Sequence, residues 1–397
     1  MLISNRIKNT KISAIRKLTP FAKEAKQKGL KVYHMNIGQP DVATPKEYFE
    51  GLKSYDKKVL GYESSEGIDE LRSAFSDFLK KNNIYYSPEE IYITNGGSEA
   101  LLFSFLIMCD EGDEILVPEP YYSNYNTIAS SCGVKLVPFK TSIDDGFHIK
   151  NKESIELGVT AKTRAILYSN PSNPTGVVYS INELQMIADV AYEKELYIIS
   201  DEVYRELVYD GIKYESIFSI EKIRENLVLV DSLSKRYSVC GSRVGMIATK
   251  NKNLREEIVK LCQSRLSTSS VEQYTALSLL KIPMSYIESV RDLYQERRNE
   301  VCRILEKIEG VKIYKPEGAF YLIASLPVDD AEDFCKWLLT DFSIDNETVM
   351  FAPAEGFYID RELGKSQIRL SYCISVEDLE KALNILKEGL KVYNSKN

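Results

Sequence analysis

The sequence predicts an α/β fold with a mostly parallel central sheet, helices on both of its faces, and a smaller α+β domain. Three observations predict it. Short β-branched apolar runs alternate with longer amphipathic stretches through the middle of the chain, the pattern of strand–helix–strand units. The runs are apolar throughout, as strands covered on both faces are. After Pro283 the alternation stops and a long charged helical pattern takes over, so a second unit with separate helices and strands follows.

Taken in order, Met1 to Thr19 is basic and free of acidic residues. It has no apolar core or cleavage-like site, so it reads as a surface arm rather than a targeting segment. Ile91–Thr94 is strand-like and leads into an apolar helix. Glu114–Pro118, Val134–Phe139, Arg164–Ser169, Leu196–Ser200, Leu227–Asp231 and Val244–Thr249 read as buried strands, being short and β-branched. Ile181–Lys194 and Asn253–Arg265 read as helices between them. Beyond Pro283 come a helix over Ser285–Glu309, strands over Ala319–Ala324 and Gln367–Cys373, and a closing helix over Val376–Tyr393. The expected division is a large domain over 45–283 and a small domain made of 1–44 and 284–397.

Composition excludes several functions. The 397 residues carry 51 Lys+Arg against 58 Asp+Glu, a net charge of -7, which argues against a nucleic-acid partner. The two histidines, His34 and His148, stand far apart outside any metal-ligand spacing, so no metal site is expected and neither should be essential for turnover. Seven scattered cysteines form no CxxC, which fits reduced thiols and a cytoplasmic location. The longest apolar stretch, around Ala100–Cys109, falls short of the roughly 20 residues that cross a bilayer.

Five segments carry chemistry. In Asn95-Gly96-Gly97-Ser98-Glu99-Ala100, paired glycines before a helix suit either an anion on the first N–H groups or a plain turn with Ser98 as N-cap. Asn170-Pro171-Ser172-Asn173-Pro174-Thr175-Gly176 sets two Asn-Pro steps at the end of a strand and so places Asn173 rigidly where sites collect. Asp201 closes another strand with Tyr204 three residues on; it reads as a helix N-cap or as a buried carboxylate for a protonated ring nitrogen. In Ser232-Leu233-Ser234-Lys235-Arg236-Tyr237, continuing to Arg243, Lys235 is either a solvated side chain or a nucleophile able to form a Schiff base. Arg369, inside an apolar strand, on its own needs a buried anionic partner, which reads as an internal ion pair. Gly364-Lys365-Ser366 looks like the end of a P-loop, but Ile359 stands where that motif needs glycine. It reads as a decoy.

Together these parts are what pyridoxal phosphate needs, and the sequence resembles the class I/II, fold type I aminotransferases, the aspartate-aminotransferase-like group in particular. The likeness runs from about Asn36 to Cys373. Its marks are NIGQPD at Asn36–Asp41, GYESSEGIDELR at Gly61–Arg72, NGGSEA at Asn95–Ala100, PEPYYSNY at Pro118–Tyr125, NPSNPTG at Asn170–Gly176, SDEVY at Ser200–Tyr204, SLSKRYSVCGSRVG at Ser232–Gly245 and IRLSY at Ile368–Tyr372.

The resemblance implies roles. Lys235 would carry pyridoxal 5′-phosphate as a Schiff base and shuttle the substrate proton. Asp201 would bind the pyridinium nitrogen, Asn173 and Tyr204 the phenolic oxygen, and Tyr122 would stack on the ring. Gly97, Ser98, Ser232, Ser234 and Arg243 would surround the phosphate, with Tyr62 reaching it from a neighbouring subunit, which implies a homodimer. Arg369 and Gly38 would take the α-carboxylate, beside Asn173, and Arg265, reaching in from the partner subunit, is a candidate for the second carboxylate of a dicarboxylic substrate. The implied reaction is ping-pong transamination between an amino acid, with aspartate preferred, and a 2-oxo acid such as 2-oxoglutarate. Aromatic or neutral amino acids are the alternative donors. A C–S β-lyase on the same fold is a further alternative; the lyases carry His where this chain has Ser172 and in the residues after Asp201-Glu202. A non-catalytic regulator is disfavoured by the acidic balance and by the absence of room for a DNA-binding domain before Asn36.

Overall fold

The computed structural model describes residues 2–8, 10 and 13–395; Met1, Asn9, Lys11 and Ile12 of the expected arm, and Lys396 and Asn397 of the expected small domain, lie outside the described residues. The seven apolar runs form one sheet. Its spatial order is Ile91–Asn95, Val244–Thr249, Leu227–Ser232, Tyr197–Asp201, Thr163–Ser169, Glu114–Glu119 and Lys135–Lys140. Val244–Thr249 runs against both of its neighbours and the other pairs are parallel. The reversal has a local cause. The chain returns from Ser232 to Val244 through the loop 233–243, which holds no crossover helix, and a strand joined so directly comes back antiparallel.

Ile91, Ile93, Leu227 and Leu229 pack into one apolar layer, while Tyr92, Val228 and Val230 pack into the other. That two-residue alternation, with both sides covered, explains why the runs are apolar throughout. The Gly97–Met108 helix belongs to the second layer, and Ile181–Glu193, capped by a reciprocal Ser180–Glu183 box, to the first. Ser169 lies opposite Asp201, and Asp201 opposite Val230, so three strands deliver their carboxyl ends, and the residues that follow, to one edge.

Beyond Pro283 the Met284–Leu305 helix ends earlier than its charge pattern suggests. A four-stranded antiparallel sheet follows, ordered Ala352–Pro353, Gln367–Ser371, Tyr321–Ser325 and Lys312–Ile313. The expected strand at Ala319 begins only at Tyr321. Ala319 has a φ of 56° and its amide donates to the Leu207 carbonyl at 2.9 Å, which ties the segment to the first unit before the strand starts. Lys31–His34 pairs in parallel with Glu347–Met350. The chain then continues past the second sheet, with the Ser371 amide donating to Met35 O at 2.8 Å. Leu18, Val290, Leu322, Phe334, Val349 and Leu383 share an apolar core of their own.

His148 fastens the two sheets' surroundings together. Its Nδ1 lies 3.0 Å from Glu183 and its Nε2 3.4 Å from Glu317, which precedes the Tyr321 strand. Hydrogen bonds donated to both carboxylates push the imidazole pKa up from 6.5 to about 10, against the opposing effect of burial. The folded value is raised, so the stabilisation is complete below pH 6.5 and is lost as pH rises through about 10. His148→Gln is expected to lower stability by about 1–3 kcal/mol at neutral pH. The deficit should vanish in urea titrations run above the raised pKa, while turnover at neutral pH persists.

Candidate active site

The loop after Ser232 is anchored from below by buried charges. Arg205 pairs with Glu202 at 2.9 Å and Asp231 at 3.2 Å, and Arg236 pairs with Glu206 at 3.1 Å and also with Asp231. Leu233 is fully buried beside them. A loop held by its charged neighbours and an apolar plug presents Lys235 in one orientation. Its Nζ donates to the Gly38 carbonyl at 2.9 Å and lies 3.8 Å from Cys240 Sγ. Position 38 must be glycine here, because a Cβ would fall 1.8 Å from the Tyr321 hydroxyl oxygen.

Lys235 opens onto a cavity of about 840 Å³ whose wall includes twelve of the fourteen expected site residues: Gly38, Gly97, Ser98, Tyr122, Asn173, Asp201, Tyr204, Ser232, Ser234, Lys235, Arg243 and Arg369. Their chemistry falls into three groups.

At one end the Gly97–Met108 helix points its first N–H groups into the cavity, a ready anion site. Gly96, not Ser98, is the N-cap, and no side chain caps this helix, so the N-cap reading of Ser98 is corrected. Gly96 has a φ of 75°, and a Cβ there would lie 2.5 Å from Arg243 Nη2. Arg243 itself holds a φ of 55° and donates to Cys240 O at 3.1 Å and Asn95 O at 3.2 Å. A non-glycine residue in this conformation is strained, and such strain concentrates at functional sites. Ser232 and Ser234 share a 2.8 Å hydroxyl contact beside it.

In the middle, Asp201 is the last residue of its strand and buried, with no helix beginning at it. The N-cap reading is therefore corrected here as well. Its Oδ2 accepts from Tyr125 OH at 2.9 Å, and no cation pairs with it among the described residues. Burial, partly offset by that hydrogen bond, pushes its pKa up to about 6. Tyr122 forms the wall above, edge-on to Tyr125 at 5.5 Å, its own pKa raised by burial.

At the other end Arg369 is buried. Its Nη1 donates to Asn173 Oδ1 at 3.2 Å and its Nη2 to Asn36 O, and its Nε has no partner. It lies over the Tyr321 ring at 4.6 Å. No carboxylate pairs with it among the described residues, which rules out the internal ion pair and leaves a buried cation without its anion. Burial lowers its pKa. Side chains of this kind persist where a ligand completes them.

Two expected residues lie elsewhere. Tyr62 is 80% exposed and outside this cavity. Arg265 is also outside it: its Nε pairs with Glu99 at 3.2 Å and its Nη2 donates to Ile93 O at 2.6 Å and Ser65 O at 3.2 Å. Within its own chain Arg265 is matched by Glu99 in the first turn of the Gly97 helix; its expected role lies at the site of a partner subunit. The Gly364-Lys365-Ser366 segment ends a short helical turn and enters a strand, as a decoy should.

The cavity also contains residues that the motifs missed. Tyr321 OH meets Tyr204 OH at 2.8 Å and approaches Gly38 O, the carbonyl that also holds Lys235, at 3.5 Å. Its only trace in the sequence is a tyrosine at the start of a strand, with nothing to link it to Gly38. Tyr321→Phe removes one neutral hydrogen bond and is expected to lower kcat/KM by about 3- to 10-fold with cofactor binding retained. Steady-state kinetics beside the visible spectrum of the bound cofactor check this.

A lysine, an uncompensated carboxylate, an uncompensated guanidinium and an anion cup at the strand ends of a mostly parallel sheet define a transferase of fold type I. The chain belongs to the family described as aminotransferase class I and II, whose model matches residues 31–386. It is similar to the aspartate aminotransferase of Bacillus subtilis (strain 168), with 31% identity covering 99% of this chain and 100% of the relative. A probable aspartate/prephenate aminotransferase of Aquifex aeolicus is 33% identical, covering 98% of each. Among solved structures, the alanine aminotransferase of Pyrococcus furiosus superposes with a TM-score of 0.91 at 31% identity, over 98% of this chain and 100% of that one. The chain is an aminotransferase. Among the described residues no helix is long and apolar enough to cross a membrane, and no cluster of metal-ligating side chains occurs.

Proposed function

We propose that this aminotransferase uses pyridoxal 5′-phosphate to move the amino group of an amino acid, aspartate by preference, to a 2-oxo acid such as 2-oxoglutarate. One observation carries the reading: Lys235 shares a cavity with a buried carboxylate that lacks a cation and a buried guanidinium that lacks an anion. The residues fit the cofactor, because a pyridinium is the cation Asp201 lacks and a phosphate suits the uncapped helix start beside Arg243. When bound, the cofactor supplies an aldehyde for the amine and a sink for the electrons released at Cα.

The chain's own groups do the rest. Lys235 Nζ moves the proton at the substrate Cα. With the cofactor bound, Asp201 would hold the ring nitrogen protonated, Asn173 and Tyr204 would donate to the phenolic oxygen, and Tyr122 would lie against the ring. The Gly97 and Ser98 amides, the Ser232 and Ser234 hydroxyls and Arg243 hold the phosphate. Arg369, with the Gly38 backbone and Asn173 beside it, orients the α-carboxylate and so the Cα–H bond.

Aspartate as donor is supported by the names of the Bacillus and Aquifex relatives. A neutral amino acid is the second reading, favoured by the fit to the Pyrococcus alanine enzyme. The exposed apolar run Val59, Leu60 and Tyr62, at 76%, 69% and 80% exposure, supports a homodimer in which Tyr62 reaches the partner's phosphate. A core built mostly from 1–44 and 284–397, joined by Tyr204, Leu207 and Tyr209, supports the division into 45–283 and 1–44 with 284–397. Seven free cysteines support a cytoplasmic location.

A half-reaction panel of aspartate, glutamate, alanine, tyrosine and phenylalanine tests the reading. The expected result is conversion of the bound cofactor from its aldehyde to its amine form, fastest with aspartate. No conversion with any of them overturns the reading. Release of pyruvate and ammonia from cystathionine without an oxo acid would show the lyase instead.

A further inference from the structure

A dicarboxylic substrate brings two anions, and among the described residues the cavity wall holds one arginine beyond those with assigned partners. Arg243 faces the helix start, Arg369 is placed for the α-carboxylate, and Arg265 is matched by Glu99. Arg16 remains. It sits in the turn that precedes the Thr19–Gln27 helix, exposed toward solvent, and it lines the cavity beside Ile15, Ile37 and Gly38. No carboxylate pairs with it among the described residues.

Its position is tied to that of Arg369 through one residue. Asn36 Nδ2 donates to Ile15 O at 2.8 Å, which holds the Arg16 turn against the cavity, and Asn36 O accepts from Arg369 Nη2. The turn is closed locally by the Arg16 amide donating to Ser13 O at 3.0 Å. Asn36 therefore links the backbone beside Arg16 to the Arg369 guanidinium, and Ile15 and Ile37 line the same cavity. Arg16's charge also acts on the Tyr122 hydroxyl, favouring its ionised form. That places the charge within electrostatic reach of the ring wall.

We infer that Arg16 is the specificity-determining residue for the second carboxylate of four- and five-carbon amino dicarboxylates and their oxo acids. The inference rests on the aminotransferase reading of the same cavity and names the substrate class that this reading prefers. A planar guanidinium meets a carboxylate through two N–H groups, which a lysine cannot reproduce. Because Arg16 is exposed and otherwise unpaired, its side chain is free to adjust to an acceptor one methylene longer than the donor.

Holoenzyme carrying Arg16→Leu or Arg16→Lys is compared with wild type in half-reactions with aspartate, glutamate and alanine. Inhibition by two unreactive acids, succinate and propionate, is measured in parallel. In Arg16→Leu the aspartate kcat/KM is expected to fall by about 10- to 100-fold relative to alanine. The succinate inhibition constant should rise by a similar factor relative to propionate, and Arg16→Lys should recover part of both. Equal changes for aspartate and alanine, or unchanged succinate binding, overturn the assignment while leaving the aminotransferase reading intact. A wild type that converts alanine and ignores both dicarboxylates overturns the assignment and the aspartate preference together.

Discussion

Lys235→Ala is expected to lower kcat by about 10⁴-fold while the protein stays folded. The size of the effect follows from what else lines the cavity. No other lysine among the described residues does so, and both histidines lie outside it. Tyr122, Tyr204 and Tyr321 all have pKa values raised by burial, so they remain phenols at neutral pH and cannot serve as the base. Asp201 points at Tyr125 and already has a proposed partner in the ring nitrogen. Nothing therefore stands in for the amine. Lys235→Arg should fail equally, because it restores the charge and the contact with Gly38 O but not a nucleophile. Thermal unfolding of both variants, next to single-turnover kinetics, separates loss of chemistry from loss of fold.

The second large effect is a split between function and stability at Arg369. Arg369→Met is expected to lower kcat/KM for every amino acid by about 10²- to 10³-fold, through loss of a two-pronged carboxylate contact in a buried place. Its stability should nevertheless stay level or rise by about 1 kcal/mol, since the folded chain carries a desolvated charge there that no carboxylate among the described residues neutralises. Arg236→Met should behave in the opposite way. It breaks a buried ion-pair network with Asp231 and Glu206 and is expected to cost about 3–5 kcal/mol. Chemical denaturation of the two variants without substrate makes the contrast. If Arg369→Met is destabilised as much as Arg236→Met, then Arg369 is structural.

How far the sequence was legible depends on whether the signal was local. Asn173, Asp201 and Lys235 were readable because each sits at or just past the end of an apolar run, and a parallel sheet gathers such ends on one edge. Gly96 and Gly97 were readable as a helix start, though the N-cap went to Gly96 because its left-handed backbone lets Arg243 come close. Tyr321 and Arg16 were not readable. Tyr321 depends on the absent Cβ of Gly38, far away in sequence, and Arg16 depends on Asn36 pinning a turn by its backbone carbonyl. The pairing of Arg265 with Glu99 was hidden because Glu99 stands on a helix remote in the chain. The direction of Val244–Thr249 was likewise hidden in the brevity of a loop and not in the strand's own residues.

The central claim is that Lys235 carries the cofactor. Borohydride reduction of the holoenzyme followed by peptide mass mapping tests it most directly. The account predicts the reduced cofactor's mass on the peptide that contains Lys235, and no label in Lys235→Ala. A label on any other lysine, or an unlabelled Lys235 peptide from a fully loaded enzyme, would contradict it.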